Sequence, residues 1–269
     1  MTTTPSPADR WQRGDAYERY MGRWSRQVAP RFVRGLAVPQ ARRWLDVGCG
    51  TGALANAVLE QCAPRSVIGV DPSPGFLAAA KAQLPPHVVL HQASADRLPL
   101  ADASVDTAVS ALVLNFVPDA GAALREMARV TVGGGLLACC VWDYAQKMDL
   151  IRLYWDTAAE LGLLAPGQDQ GERFPICRPD VLHAAFVEAK LSQVQVWPIE
   201  IEMRFADFDD YWQPFLGGQG PAPAHAMSLD EAARTRLRAR LAERINAWPD
   251  GSIVLAARAW AASGVVARR

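Results

Sequence analysis

Apolar and polar positions change rhythm along this chain, and each change marks an element. Tyr17 to Leu36 carries apolar and aromatic residues at roughly helical spacing, with breaks at Gly22 and Pro30, and predicts one or two short helices. From Arg43 the pattern alternates. Trp44 to Val47 is a short apolar strand ended by a glycine cluster, and Ala53 to Cys62 resumes helical spacing. Ser66 to Val70 predicts a second buried strand ending in Asp71, then a helix from Gly75 to Leu84 that Pro85 and Pro86 stop. Val88 to His91 and Val105 to Leu114 predict two more strands. Asp119 is placed to cap a helix running to Val130, and Gly135 to Trp142 predicts a fifth strand. Strands separated by helices of this length imply a parallel sheet with helices on both faces.

The second half keeps the helices but changes the strands. Leu150 to Leu163 and Pro179 to Lys190 are amphipathic, separated by a Gly-, Pro- and Gln-rich stretch from Ala165 to Phe174 that reads as an exposed loop. Val194 to Phe205 and Ser252 to Trp260 alternate like long strands. Between them lie a helical stretch from Asp207 to Leu216, a glycine and proline loop from Gly217 to Ala224, and an Arg- and Glu-studded helix from Leu229 to Ile245. The expected organisation is a helical segment over 1–36, a core over 37–205 and 251–262, and a helical cap over 206–250 inserted between the last two strands.

Composition narrows the function classes. The 269 residues are half apolar and 21% charged, which excludes wholesale disorder. Lys plus Arg and Asp plus Glu both total 28, so the chain has no global footprint for nucleic acid or an anionic membrane. No apolar run approaches the roughly 18 residues of a membrane-spanning helix, and Met1 to Asp9 lacks the apolar core of a secretory signal. A cytoplasmic protein without nucleic-acid binding or membrane insertion is expected. The five cysteines, Cys49, Cys62, Cys139, Cys140 and Cys177, are odd in number and show no C-x-x-C spacing. They read as buried reduced thiols, with no metal site.

The chemistry is concentrated in Leu45 to Gly52, a strand that runs into D-x-G-x-G-x-G and then a helix. Alternate glycines let backbone amides approach a ligand at a helix N-terminus. The spacing differs from the G-x-G-x-x-G of dinucleotide folds. Asp46, just before the glycines, would repel a pyrophosphate but suits a cation, while Asp71 at the next strand end suits ribose hydroxyls. A ligand with a ribose, a cationic centre and no phosphate fits S-adenosylmethionine better than NAD.

Further motifs follow in order: Val70-Asp71-Pro72-Ser73, the run from Ala95 to Asp106, and Glu126 to Val130 ahead of Gly133-Gly134-Gly135. With these the sequence resembles class I S-adenosylmethionine-dependent methyltransferases. Within them it is similar to the small-molecule branch that includes the ubiquinone and menaquinone biosynthesis enzymes. The resemblance covers about Tyr17 to Trp142. It implies an α/β, Rossmann-like, mostly parallel seven-stranded sheet with an antiparallel last strand, with S-adenosyl-L-methionine as cofactor and S-adenosyl-L-homocysteine as product. It further implies that Gly48, Gly50 and Gly52 line the methionine and ribose portion, that Asp46 supports the loop and helps hold the amino group, and that Asp71, next to Pro72, binds the ribose diol. Many relatives carry an acidic residue where this chain has Ser94, so Ser94 and Asp96 are both candidates for the adenine amine, beside the Ala95 amide. Ala111 to Asn115 would border the sulfonium, and Tyr17, Tyr20 and Arg26 would fold over the methionine end.

In-line methyl transfer needs proximity above all, and a base only where the acceptor loses a proton. No catalytic residue is identifiable; His225, Asp143 and Tyr144 are the weak candidates. His87, His91 and His183 read as structural. The acceptor is expected to be a small, apolar or aromatic molecule, met by Asn115, Trp142, Tyr211, Trp212, Phe215 and Gln219, with Phe215 to Ala224 as a mobile lid. A monomer or homodimer is expected. A cofactor-binding protein without turnover and an NAD-dependent oxidoreductase are the alternative readings.

Overall fold

The computed structural model describes residues 18–218 and 220–268. Its seven strands form one sheet in the order β3-β2-β1-β4-β5-β7-β6. β1 (Arg43–Val47), β2 (Ser66–Asp71), β3 (Val89–Gln92), β4 (Val105–Ala111) and β5 (Thr131–Trp142) pair in parallel, and β7 (Ile253–Val265) runs antiparallel to both β5 and β6 (Ser192–Phe205). The sheet is thus the expected mostly parallel, seven-stranded one with an antiparallel last strand. β1 and β4 are buried along nearly their whole length because both faces of these central strands are covered.

Helices pack around the sheet: α1 (Arg23–Leu36) against α2 (Ala53–Cys62), and α4 (Ala120–Val130) against α7 (Pro179–Glu188). α3 (Pro74–Gln83) starts where the Ser73 hydroxyl accepts from the Phe76 amide, and α4 where the Asp119 carboxylate accepts from the Ala122 amide at 2.8 Å. Glu18–Gly22 is a wide helical turn leading into α1.

Several boundaries differ from those expected: the N-terminal helix continues through Pro30 without a break, and β7 extends to Val265. β4 stops at Ala111, and Leu114–Phe116 is a tight helical turn. β5 begins at Thr131, directly after α4, and takes the three glycines into the strand; the pairing register shifts between Val105 and Thr107, and Gly134 adopts φ +82°. The stretch expected to be an exposed loop before α7 contains a short helix, α6 (Gln170–Arg173), capped by Asp169.

The inserted region holds α8 (Phe208–Trp212), a tight turn over Gln213–Gly217, α9 (Pro221–Ser228) and α10 (Glu231–Arg244), while α5 (Asp149–Glu160) lies beneath it. The loop expected from Gly217 to Ala224 is helical from Pro221. Prolines in a first turn sacrifice no hydrogen bond, so the residues read as breakers here start a helix. The Phe215 ring is buried between Tyr20, Tyr154, Tyr211 and Trp212, with centroids 4.8–5.8 Å away. Arg23 ties α1 to the cap through the Asp210 carboxylate at 2.9 Å and stacks over Trp24 and Phe205. Among the described residues, no helix is long and apolar enough to cross a membrane.

Candidate functional site

The strand order reverses between β1 and β4, so their carboxyl ends part and leave a crevice. Gly48 to Thr51 forms its floor. Gly48 and Gly50 have φ of +73° and +52°, a region that favours glycine. A Cβ on Gly48 would stand 2.5 Å from Val113 on the turn after β4, whereas one on Gly50 would meet nothing within 4 Å. Gly48 is therefore fixed by packing, and the space above Gly50 is open. The Gly48 and Cys49 amides donate to the Val70 carbonyl at 2.7 and 3.0 Å, which locks the loop onto β2.

Asp46 is 1% exposed, and neither carboxylate oxygen has a hydrogen-bond partner. Burial, then the nearby Asp71 charge, pushes its carboxyl up to about 8; the Ala55 backbone amide opposes this. Asp71 is better served, accepting from the Ser73 amide at 2.8 Å and the Gly50 amide at 3.0 Å. Burial still raises its carboxyl, with those two amides pulling the other way. A carboxylate offers about four acceptor sites, so Asp71 retains capacity toward the cavity that it lines.

That cavity measures about 720 Å³, within the range of sites for drug-sized ligands. One end is lined by Asp46, Gly48, Gly50, Asp71, Pro72, Ser94 and Ala95. The other is lined by Met21, Ser25 and Ala29 from the N-terminal turn and α1, by Phe116, Val117 and Pro118 after β4, and by Trp142 and Tyr144 after β5. Ala111 lines the cavity as well. An unpartnered buried carboxylate, an open glycine cradle and a second carboxylate with spare acceptor sites fit a ligand that carries an amine or sulfonium and a ribose. The residues present therefore fit S-adenosylmethionine.

Other candidates stand elsewhere. Gly52 and Asp96 do not line the cavity; Asp96 accepts a hydrogen bond from the Ser94 hydroxyl. Tyr20 is buried against Phe215, and Arg26 turns outward to pair with Glu18. Asn115 is 4% exposed on the turn after β4, with no partner for either amide atom, yet it too stays behind the lining. Tyr211, Trp212 and Phe215 hold the cap onto the core instead of walling the cavity, because each ring finds aromatic neighbours in that interface. Asp143 is committed to Arg258, at 2.8 Å, and to the Gln146 amide. His225 lies in α9, not in a flexible loop, and is bonded to Tyr154 and the Leu163 carbonyl. Tyr17 and Gln219 lie outside the described residues.

Met21, Ser25 and Ala29 were not singled out as cavity residues in the sequence. Their i, i+4, i+8 spacing is the signal that places them on one face of the N-terminal helical run.

Residues 45–139 match the family model of a methyltransferase domain. An uncharacterised methyltransferase of Mycobacterium tuberculosis is 39% identical over 147 residues, covering 55% of this chain and 54% of that protein. The ubiquinone/menaquinone biosynthesis C-methyltransferase of Rubrivivax gelatinosus is 42% identical over 110 residues, covering 40% and 43%. The chain thus spans about half the length of the curated relatives it matches. Among solved structures, phosphoethanolamine N-methyltransferase 2 of Haemonchus contortus, in complex with S-adenosyl-L-methionine, superposes with a TM-score of 0.56 at 14% identity, over 95% of this chain and 57% of that one. That likeness is one of fold.

Proposed function

We propose that this protein, whose residues 45–139 match the model of a methyltransferase domain, is an S-adenosylmethionine-dependent methyltransferase that transfers a methyl group to a small apolar or aromatic acceptor. The observation that carries the reading is Asp46, a buried carboxyl without partners in the wall of a 720 Å³ cavity. A cationic ligand would compensate the charge that this carboxyl carries when ionised.

When bound, S-adenosylmethionine supplies a methyl group activated on a sulfonium. The chain's own residues bind and align. Asp46 takes the ammonium end, directly or through water. Asp71 takes the ribose hydroxyls, held in place by the Gly50 and Ser73 amides. Ser94 and the Ala95 amide meet the adenine. Met21, Ala29, Phe116, Val117 and Trp142 enclose the acceptor and exclude water, with Ser25 and Tyr144 as hydroxyls within that wall.

Calorimetric titration with S-adenosylhomocysteine tests the cofactor. Binding is expected, and Asp71→Ala should weaken it by about 1–3 kcal/mol, the scale of a hydrogen bond to a charged group. Binding of NAD without binding of S-adenosylhomocysteine would sink the assignment.

A further inference from the structure

We infer that Phe174 sets the largest acceptor the cavity admits, by standing behind two residues of its wall, Phe116 and Tyr144. This rests on the methyltransferase reading above and deepens it toward acceptor size. Phe116 belongs to the tight turn after β4 and Tyr144 follows β5, so the ends of two neighbouring strands supply this part of the wall. Phe174 does not line the cavity. It is 5% exposed, and its ring meets Phe116 edge-on at 5.3 Å and 74° and Tyr144 at 6.0 Å and 46°. The wall is thus two rings deep here. In a close-packed interior the rear ring decides how far the front two can yield to a ligand.

Phe174 cannot easily retreat, because the segment that carries it is fastened on several sides. Asp169 accepts from the Gly171 amide at 2.8 Å, which caps α6, and from Arg152 of α5 at 2.7 and 2.9 Å. The same Arg152 nitrogen donates to the Tyr144 carbonyl at 3.3 Å. One guanidinium therefore ties the segment behind the wall to the backbone of the wall itself. Gly171 permits this approach, since a Cβ there would stand 3.0 Å from the Tyr144 carbonyl oxygen. Gln170, 2% exposed, accepts from the Trp155 indole at 3.2 Å, and the Phe174 carbonyl accepts from the Cys177 amide at 2.9 Å.

The result is a size limit carried by a single side chain. Trimming Phe174 to Ala removes one benzene ring from behind the wall, and Phe116 and Tyr144 can fall back into that space. An apolar cavity made in this way takes an apolar guest of the size removed. Among the described residues, the charged side chains that line the cavity are the carboxylates Asp46 and Asp71, so uncharged guests are the fitting probes.

The test titrates protein saturated with S-adenosylhomocysteine with phenol and with 4-phenylphenol, which is larger by the ring that Phe174→Ala removes. Calorimetry reads both affinities. Phe174→Ala should raise the affinity for 4-phenylphenol relative to phenol by about tenfold or more over the ratio in the intact protein. Phe174→Leu, which keeps more of the packing, should raise it by about threefold and carries the comparison if the Ala variant does not fold. Melting curves check that both variants persist. S-adenosylhomocysteine affinity should stay within about twofold of the intact protein's. A merely structural Phe174 would weaken both phenols alike, so an unchanged ratio overturns the inference. Failure of both phenols to bind any of the three proteins overturns it too. Loss of S-adenosylhomocysteine binding by the unaltered protein would instead strike the methyltransferase reading itself.

Discussion

At the scale of single residues, Asp46 sets the pH behaviour of the site. Its folded pKa of about 8 lies above the ordinary value near 4, so between those values the folded chain holds a proton that the unfolded chain has released. Its contribution to stability is present at low pH and is lost as pH rises through about 8. Asp46→Asn should therefore raise the melting temperature above that pH and flatten its pH dependence, read by scanning calorimetry. A cationic ligand reverses the preference for the proton. Titrations below pH 8 in buffers of different ionisation heat should report about one proton released on cofactor binding, and none in Asp46→Asn. The residue types were legible in the sequence, because D-x-G-x-G-x-G places a carboxylate beside open backbone. That both of its oxygens would be left without partners was not, since this depends on which amides the folded loop turns away.

At the scale of elements, strands and helices that bury continuous or periodic faces could be read directly, as β1, β2 and α2 show. Boundaries failed where two tendencies compete. Thr131 and Val132 are β-branched and begin β5 without a loop, although the glycines after them suggest a turn. Pro221 and Pro223 suggest a break yet start α9. Partners far apart in sequence left no local trace. The antiparallel pairing of β5 with β7 puts Asp143, 2% exposed, against Arg258, 115 positions away. That pair explains why Asp143, a plausible base in the sequence, is a fastening between strands. Arg258→Ala would leave a buried carboxylate uncompensated and should cost about 3–5 kcal/mol in denaturant unfolding. Cofactor affinity per folded molecule should stay nearly constant, because Asp143 is outside the cavity wall.

For the whole molecule, the cap's aromatic residues were visible as a group, but their direction was not. A dense set of rings serves an acceptor pocket or an internal seam equally well, and only the placement of Tyr20, Tyr154 and Phe215 decides for the seam. The N-terminal turn is tied to both parts of the molecule. Arg23 reaches the cap at Asp210, while Glu18 accepts from the Thr51 hydroxyl at 2.6 Å and pairs with Arg26. The Glu18 carboxylate folds over Gly22 so closely that a Cβ there would come within 2.5 Å of it. Met21 and Thr51 both line the cavity, so this one carboxylate bolts two of its walls together. Its consequence is one of timing. A ligand held beneath such a bolt should leave faster once the bolt is loosened, so on the proposed reading Glu18 is expected to set how long the spent product stays. Glu18→Gln should quicken S-adenosylhomocysteine release severalfold in stopped-flow displacement, with a smaller change in the equilibrium constant. Where product departure limits the cycle, the loosened protein would turn over faster than the intact one.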